Sequence, residues 1–332
     1  MELHHRTLSA NGIRIHAVEQ GEGPLVLFVH GFPESWYSWR HQLPAVAAAG
    51  YHAVAIDVRG YGRSSAPAPV DAYRMVQLVA DNLGVVNALG HNQAVIVGHD
   101  WGAPIAWNSA LLRPDVFAAV AGLSVPYSPR GRVAPSAAFR AMGGNEEFYI
   151  EYFQEPGRAE AEIEPDVAGW LAGFYLSASG AAPPMVPGTG SMVTIAPGGR
   201  MRDRFHTPTQ DDMAAFLSAE DLAFYTAEFE RSGFSGGLNR YRNVDRDFED
   251  LAMVAGRPIE VPALFVGGSK DGPTLWGAKA IGRFADTLPR LHQSLILDGC
   301  GHWTQQERPD EVNAALLDFL ASLGPAPAQR RA

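Results

Sequence analysis

The chain has 332 residues, enough for one large domain with a substantial insertion or for two smaller domains. Apolar residues make up 46% and charged residues 19%, which is typical of a globular protein and argues against a fibrous or wholly disordered chain. The net charge is -10, from 26 basic and 36 acidic residues, and the longest basic run is the terminal Arg330-Arg331. Because a phosphate backbone requires clustered cations, we do not expect nucleic acid as a partner.

The cysteine content and the N-terminus bear on location. Cys300 is the single cysteine, so no intramolecular disulfide can form, as is usual in a reducing compartment. The first residues, MELHHRTLSANGIRIH, contain no apolar stretch resembling a signal peptide. No run of the sequence reaches the roughly 18 apolar residues of a membrane span. These features predict a cytoplasmic protein without a membrane partner.

Short apolar runs separated by helix-length segments predict the core. The sequence LSANGIRIH alternates around Asn11-Gly12, a pair that favours a tight turn, so two antiparallel strands should open the chain. Continuous apolar runs, typical of strands buried on both faces, follow at 25–30, 52–57, 94–99, 118–125, 263–268 and 294–298. Helical spacing between them, as at 72–89, predicts an α/β fold with a doubly wound, mostly parallel sheet.

The alternation of strands and helices stops at residues 127–250, which look helical and aromatic. We predict a mainly helical lid there, inserted between a first core part at 1–126 and a second at 251–332. Within the lid, the sequence SGAAPPMVPGTGSMVTIAPGG at 179–199 is rich in Gly and Pro and should form a long loop. The C-terminal sequence PAPAQRRA should be frayed.

Asp100 stands between Gly98 and Gly102, after a predicted strand and before a helix predicted at 103–112. This is the frame of a nucleophile elbow, in which glycines flank a residue held on a strained turn, with Asp in place of Ser. Two glycines around an acid also occur by chance, and the strand–helix context favours the catalytic interpretation. A carboxylate needs no base to attack a saturated carbon, and it then forms an ester.

Hydrolysis of that ester requires a base and donors for the developing oxyanion. In such elbows one donor is the backbone N–H of the residue after the nucleophile, here Trp101. The other comes from the first strand–helix loop, which is HGFP here and supplies Phe32. We predict that these two N–H groups form an oxyanion hole, although Gly-Phe-Pro can also be a simple turn.

His302 follows the last predicted strand, in GCGHW, where the chain order of this architecture places the catalytic histidine. The acid that orients it should lie at the C-terminal end of an earlier strand. Asp271 satisfies this condition, Asp298 is too close in sequence, and residues 122–126 contain no carboxylate. The alternative for Asp271 is a loop acid that caps the next helix. We interpret His99, beside the nucleophile, as a packing residue.

With Asp100, Asp271 and His302 in this order, the chain resembles soluble epoxide hydrolases of the α/β-hydrolase superfamily over nearly its whole length. The segments that carry the resemblance are HGFPESWYSWR (30–40), DVRGYGRSS (57–65), GHDWGAPIAW (98–107) and GHWTQQERPDEVN (301–313). The resemblance implies the α/β-hydrolase fold and the opening of an epoxide to a vicinal diol through an ester on Asp100. It also allows a homodimer.

The resemblance includes two lid segments, YIEYFQEPGRAEAEIE (149–164) and FERSGFSGGLNRYRN (229–243). By this match Tyr149 and Tyr241 bind the epoxide oxygen, and with Phe32 and Trp101 they contact the substrate. Two phenols that are neutral at pH 7 can donate hydrogen bonds to an alkoxide and deliver a proton. Tyr152 lies one helical turn from Tyr149 and is an alternative to it.

Three other functions fit parts of the pattern. A haloalkane-type dehalogenase resembles the chain in its Asp nucleophile followed by Trp, but it needs halide-binding donors in place of phenols. A serine-type esterase is disfavoured because Asp100 fills the nucleophile position, and a non-catalytic receptor has no need for the whole set of residues. We find no metal cluster, dinucleotide fingerprint or phosphate loop in the sequence, and we predict a small-molecule epoxide as partner and no cofactor.

Overall fold

The computed structural model describes residues 2–183, 191–208 and 216–324. Within these ranges the strands form one eight-stranded sheet and a separate two-stranded ladder. The strands are β1 (His4–Ala10), β2 (Ile13–Gln20), β3 (Leu25–Val29), β4 (His52–Ile56), β5 (Ala94–His99), β6 (Phe117–Leu123), β7 (Glu147–Phe148), β8 (Thr194–Ile195), β9 (Ala263–Gly268) and β10 (Leu291–Leu297). The predicted frayed tail and residues 184–190 of the predicted loop lie outside the described residues.

The large sheet has the strand order β1-β2-β4-β3-β5-β6-β9-β10. Strand β2 pairs antiparallel with β1 and β4, and all other neighbours are parallel. The predicted hairpin at the N-terminus is confirmed: Asn11 and Gly12 have φ values of 47° and 75°, which a tight hairpin turn requires at both central positions. The prediction of a mostly parallel α/β sheet is confirmed as well.

Helices cover both faces of the sheet, which explains the continuous apolar strands. Leu27 belongs to the hydrophobic cluster on one side, and its neighbour Phe28 belongs to the cluster on the other. The helices are α1 (Gln42–Ala48), α2 (Met75–Ala88), α3 (Gly102–Leu112), α4 (Pro135–Gly143), α5 (Tyr149–Tyr152), α6 (Arg158–Ile163), α7 (Val167–Ala178), α8 (Ala219–Ser232), α9 (Ser235–Tyr241), α10 (Val244–Asp250), α11 (Gly272–Trp276), α12 (Ala278–Ile281), α13 (Phe284–Thr287), α14 (Thr304–Glu307) and α15 (Pro309–Ser322).

The helix predicted at 72–89 begins later than the apolar spacing suggests. A 3-10 turn occupies Val70–Tyr73, and Arg74 is extended, with φ -65° and ψ 149°. Helix α2 then begins at Met75, whose N–H donates to the Asp247 carboxylate at 2.6 Å. A side chain 172 residues away therefore caps this helix, and no local sequence signal marks its beginning.

The elements between β6 and β9 form the predicted lid, called the cap below. They are mainly helical, from α4 to α10, but β7 pairs antiparallel with β8. The prediction of one long loop at 179–199 is therefore wrong at Thr194–Ile195, because these residues pair with Glu147–Phe148. The division of the chain at residues 126 and 250 stays our proposal for the domain boundaries. No helix in the described part of the chain is long and apolar enough to span a bilayer.

Candidate active site

Asp100 lies on a sharp turn between β5 and α3 and has a φ of 49°. A Cβ atom on Gly98 would come within 2.0 Å of the Gly102 carbonyl oxygen. A Cβ atom on Gly102 would lie equally close to the carbonyl oxygen of Val29. Only glycine fits at either position, so the two glycines allow the turn that presents Asp100 at the C-terminal edge of the sheet.

The first strand–helix loop reaches the Asp100 carboxylate. The Phe32 N–H donates to Asp100 Oδ1 at 2.7 Å. A Cβ atom on Gly31 would lie 2.3 Å from the same oxygen, so a side chain there would displace the carboxylate. Trp101 directly precedes α3, where backbone N–H groups have no partner within the helix. The Phe32 N–H therefore contacts the carboxylate, and a role of the Trp101 N–H as the second donor stays a prediction.

His302 lies between the two predicted carboxylates. Its Nδ1 is 2.9 Å from Asp271 Oδ1, and its Nε2 is 3.5 Å from Asp100 Oδ2. Asp271 is fully buried and also caps α11, because its other oxygen accepts from the Thr274 backbone N–H at 3.4 Å, as well as from the Thr274 hydroxyl at 2.7 Å. Asp271 therefore caps a helix and also contacts His302, so the helix cap does not exclude the predicted orienting role, which stays a prediction.

The two cap tyrosines approach the site from different helices. Tyr149 is the first residue of α5 and Tyr241 the last of α9, and their ring centroids are 6.0 Å apart. Tyr241 also packs edge-to-face on Trp101 at 5.1 Å. Burial, reinforced by the charge of Asp100, raises the pKa of both phenols above its usual value, so both are neutral at pH 7.

Tyr152, the alternative to Tyr149, points its hydroxyl elsewhere. Its O–H donates to Glu162 Oε2 at 2.6 Å, inside the cap. The Arg158 guanidinium lies over the Tyr152 ring, 4.1 Å from the ring centroid. Of the two tyrosines, it is Tyr149 that lines the cavity containing Asp100.

A cavity of about 620 Å³ opens above Asp100, between the core and the cap. Its lining is mostly apolar, and three of its large apolar side chains are also exposed at the surface, which marks the mouth of the cavity: Val133, Met142 and Trp276. Within the described residues, no group of three His, Cys, Asp or Glu side chains is arranged to hold a metal ion.

Comparison with known proteins identifies the family. A model of the alpha/beta hydrolase fold matches residues 24–309. Epoxide hydrolase A of Mycobacterium tuberculosis is 47% identical over 321 residues, which cover 96% of this chain and 97% of that protein. The chain belongs to the epoxide hydrolase family. Epoxide hydrolase B of the same species is 44% identical, covering 97% of this chain and 99% of that protein.

Solved structures of epoxide hydrolases superpose on nearly the whole chain. An epoxide hydrolase from an endophytic Streptomyces is 60% identical and has a TM-score of 0.93, covering 97% of this chain and 96% of that one. Epoxide hydrolase A from Mycobacterium thermoresistibile is 45% identical, with a TM-score of 0.89 and coverage of 96% and 98%. The match includes the cap as well as the core.

The structure of this epoxide hydrolase family member also shows a site residue that the sequence did not reveal. Ser124 follows β6 with a φ of 69° and is fully buried. Its hydroxyl donates to Asp271 Oδ2 at 2.7 Å and lies 3.0 Å from His302 Nδ1. Residues 122–126 contain no carboxylate, the group that the sequence prediction required of a partner for His302. A positive φ at a serine has no sequence signal, so the position became visible only in three dimensions.

His99 does more than pack, which corrects its interpretation from sequence. Its Nδ1 lies 2.7 Å from Glu34 Oε2, and its Nε2 donates to the His302 carbonyl oxygen at 2.7 Å. Burial raises the pKa of Glu34, but His99, His30 and the Gly31 N–H together outweigh burial and lower it to about 2. The same carboxylate accepts from the Gly31 N–H at 2.8 Å. This buried pair thus supports both the first strand–helix loop, which carries Phe32, and the loop that carries His302.

The electrostatics of His302 follow from its two acidic neighbours. Burial lowers the pKa of the imidazole, but the charges of Asp271 and Asp100 together outweigh burial. The net result is a His302 pKa well above its usual value while both carboxylates are ionised. Any reaction that neutralises Asp100 must therefore lower the pKa of His302.

Proposed function

We propose that the enzyme opens an epoxide to a vicinal diol through a covalent ester on Asp100, which water then hydrolyses with His302 as base. The observation that carries the proposal is the placement of the Asp100 carboxylate. It lies within hydrogen-bond distance of the Phe32 N–H, 3.5 Å from His302 Nε2, and in a cavity that Tyr149 also lines. Membership of the epoxide hydrolase family supports this assignment.

In the first step, an Asp100 oxygen attacks one ring carbon of the epoxide, and the bond from that carbon to the ring oxygen breaks. The developing alkoxide accepts hydrogen bonds from Tyr149 and Tyr241, and one of these phenols delivers a proton to it. The raised pKa values of the phenols keep both protons in place until the alkoxide forms. The product of this step is a hydroxyalkyl ester of Asp100.

In the second step, the charge change on Asp100 prepares His302. An ester carries no negative charge, so the pKa of His302 falls and its Nε2 can accept a proton from water. The resulting hydroxide attacks the carboxyl carbon of Asp100, and the Phe32 and Trp101 N–H groups stabilise the oxyanion. Collapse of the tetrahedral intermediate breaks the ester bond, and the leaving alkoxide takes the proton of the His302 imidazolium to complete the diol. The new carboxyl group on Asp100 returns a proton to the tyrosine that donated in the first step, which regenerates the carboxylate and the phenol. Asp271 stabilises the imidazolium that forms when His302 accepts the proton from water.

The test is the intact mass of the His302→Gln variant after incubation with styrene oxide, followed by peptide mapping. We expect one added substrate mass on the peptide that contains Asp100, because the ester forms and cannot be hydrolysed. Asp100→Asn is the control and should stay unmodified. If neither His302→Gln nor the parent enzyme reacts with a panel of epoxides, and the parent releases halide from haloalkanes, the dehalogenase alternative replaces this proposal.

Location and assembly belong to the same proposal. We propose a cytoplasmic enzyme that does not bind nucleic acid, on the strength of the single buried Cys300 and the net charge of -10. A homodimer stays a prediction from the family resemblance. Light scattering on the purified protein tests it directly.

A further inference from the structure

Hydrogen bonds fix the backbone on both sides of His302 and thereby the position of its imidazole. The His302 N–H donates to the Ala178 carbonyl oxygen at 2.8 Å, and its own carbonyl accepts from His99. The N–H groups on either side of it, from Gly301 and Trp303, both donate to the side chain of Glu307. One carboxylate therefore brackets the proposed base.

Glu307 binds three backbone N–H groups. Its Oε2 accepts from Gly301 at 2.9 Å and from Gly180 at 2.8 Å, and its Oε1 accepts from Trp303 at 3.0 Å. Burial raises the pKa of this carboxyl, and these three donors offset burial only in part. The neighbouring Arg308 instead pairs with Glu311, at 3.9 Å. A carboxylate in such a position is held by N–H donors rather than by a cation.

The third donor belongs to the cap. Gly180 lies just after α7, and its backbone is in direct contact with the loop that carries His302. A Cβ atom on Gly180 would lie 2.1 Å from the Gly299 carbonyl oxygen and 2.9 Å from Glu307 Oε2. A Cβ atom on Gly301 would lie 2.2 Å from the Gly180 backbone nitrogen. The two loops can approach this closely only because both positions are glycine.

We propose that Glu307 is a positioning residue that fastens the cap loop after α7 to the His302 loop, and that it thereby aligns His302 for hydrolysis of the ester. The proposal rests on the role of His302 proposed above. Glu307 does not contact the carboxylate of Asp100 or the cap tyrosines, so it acts on the second step and not on the first. A shift of the imidazole by a fraction of an ångström is enough to slow proton transfer from water.

The experiment measures the two steps separately in Glu307→Gln by rapid quenching and intact mass. The amide offers one acceptor oxygen where the carboxylate has two, so at least one of the three N–H groups loses its acceptor. We expect hydrolysis of the Asp100 ester to slow roughly tenfold, from the loss of a hydrogen bond to a charged group. Ester formation should stay within about twofold of the parent rate, so the ester accumulates during turnover.

Two further variants separate positioning from loss of fold. Gly180→Ala pushes the cap loop away from Glu307 from the other side and should give the same slow hydrolysis. The double variant with Glu307→Gln should hydrolyse the ester little more slowly than either single variant, because both changes break the same contact between Gly180 and Glu307. The matched control is Glu162→Gln, a buried carboxylate of the cap that accepts from Tyr152, Trp170 and two backbone N–H groups. It should lower stability but leave the ratio of the two rates at the parent value.

The outcomes distinguish the two proposals. If Glu307→Gln hydrolyses the ester at the parent rate, or if it slows both steps equally, Glu307 does not position the base and the inference is overturned. If His302→Gln accumulates no ester, the proposed mechanism itself fails, whatever Glu307→Gln does. Slow hydrolysis in Glu307→Gln and Gly180→Ala, with the parent ratio in Glu162→Gln, supports the inference.

Discussion

At the scale of single residues, the site depends on backbone positions that most side chains avoid. Asp100 and Ser124 both have positive φ values, of 49° and 69°, and both end a parallel strand at the same edge of the sheet. Asp tolerates this region better than most residues do, and the elbow glycines make room for it. The strained turns place a carboxylate and a hydroxyl on either side of His302.

In the proposed mechanism, the charge of Asp271 sets the pH range of ester hydrolysis, which leads to a prediction for Asp271→Asn. Asp271 is the stronger of the two influences that raise the pKa of His302, so its removal lowers that pKa. Hydrolysis of the ester needs the neutral imidazole, so its rate rises as the pH passes through the pKa of His302. In Asp271→Asn this rise, the acidic limb of the pH–rate profile, should move to lower pH, and the maximal rate should fall. Single-turnover decay of the ester across pH measures both.

Asp298→Asn is the control for this prediction. Asp298 is exposed, accepts from the Ser269 hydroxyl and does not contact His302. The acidic limb of the pH–rate profile of Asp298→Asn should coincide with that of the parent enzyme. An acidic limb that stays in place or moves to higher pH in Asp271→Asn contradicts the proposed role of Asp271.

At the scale of elements, short cap helices aim the two phenols. Helix α5 has only four residues, and its first N–H, from Tyr149, donates to the Val193 carbonyl oxygen at 2.8 Å, next to the β7–β8 ladder. Within this helix, Tyr149 and Tyr152 differ in direction: one lines the cavity and the other is bound to Glu162. The small ladder thus contributes to the position of a proposed catalytic phenol.

We predict opposite effects of removing the hydroxyls of these two tyrosines. Tyr149→Phe should slow ester formation roughly tenfold or more, because the alkoxide loses a donor, with little change in folding stability. Tyr152→Phe should leave ester formation unchanged but lower the free energy of unfolding by about 1 kcal/mol, because Glu162 loses a hydrogen bond. Single-turnover rates and urea unfolding of both variants test this. Equal rates of ester formation in the two variants would refute the assignment of Tyr149.

At the scale of the whole molecule, a buried ion pair joins the cap to the core. Arg240 and Asp247, on α9 and α10, are bound to each other and are nearly inaccessible to solvent. Arg240 donates to the Tyr73 carbonyl oxygen at 2.9 Å, and Asp247 accepts from the Met75 N–H. The Arg240 guanidinium also lies 4.6 Å from the centroid of the Trp101 ring. The same pair therefore contacts the beginning of α2 and Trp101, the residue after Asp100.

We predict that Asp247→Ala lowers the free energy of unfolding by about 3–5 kcal/mol, because Arg240 is left buried and unpaired. Asp250→Ala removes the partner of Arg74, whose side chain is 36% exposed, and should cost at most about 1 kcal/mol. Urea unfolding followed by tryptophan fluorescence measures both differences. A loss in Asp247→Ala no larger than that in Asp250→Ala would show that the buried pair does not hold the cap.

The amino-acid sequence by itself determined the features that depend on neighbouring residues. Apolar runs predicted the strands of the core, Asn11-Gly12 predicted the first hairpin, and the glycines around Asp100 predicted the elbow, because these signals are local in the chain. The order of Asp100, Asp271 and His302 followed from the expected positions of strand ends.

Only the tertiary structure decided what depends on distant contacts. The beginning of α2, the directions of Tyr149 and Tyr152 and the hydroxyl of Ser124 between Asp271 and His302 all depend on such contacts. The same holds for the contact of Glu307 with Gly180, across 127 positions of the chain. These features are hydrogen bonds between side chains and backbone groups that only folding brings together, and a single sequence carries no periodicity that encodes them.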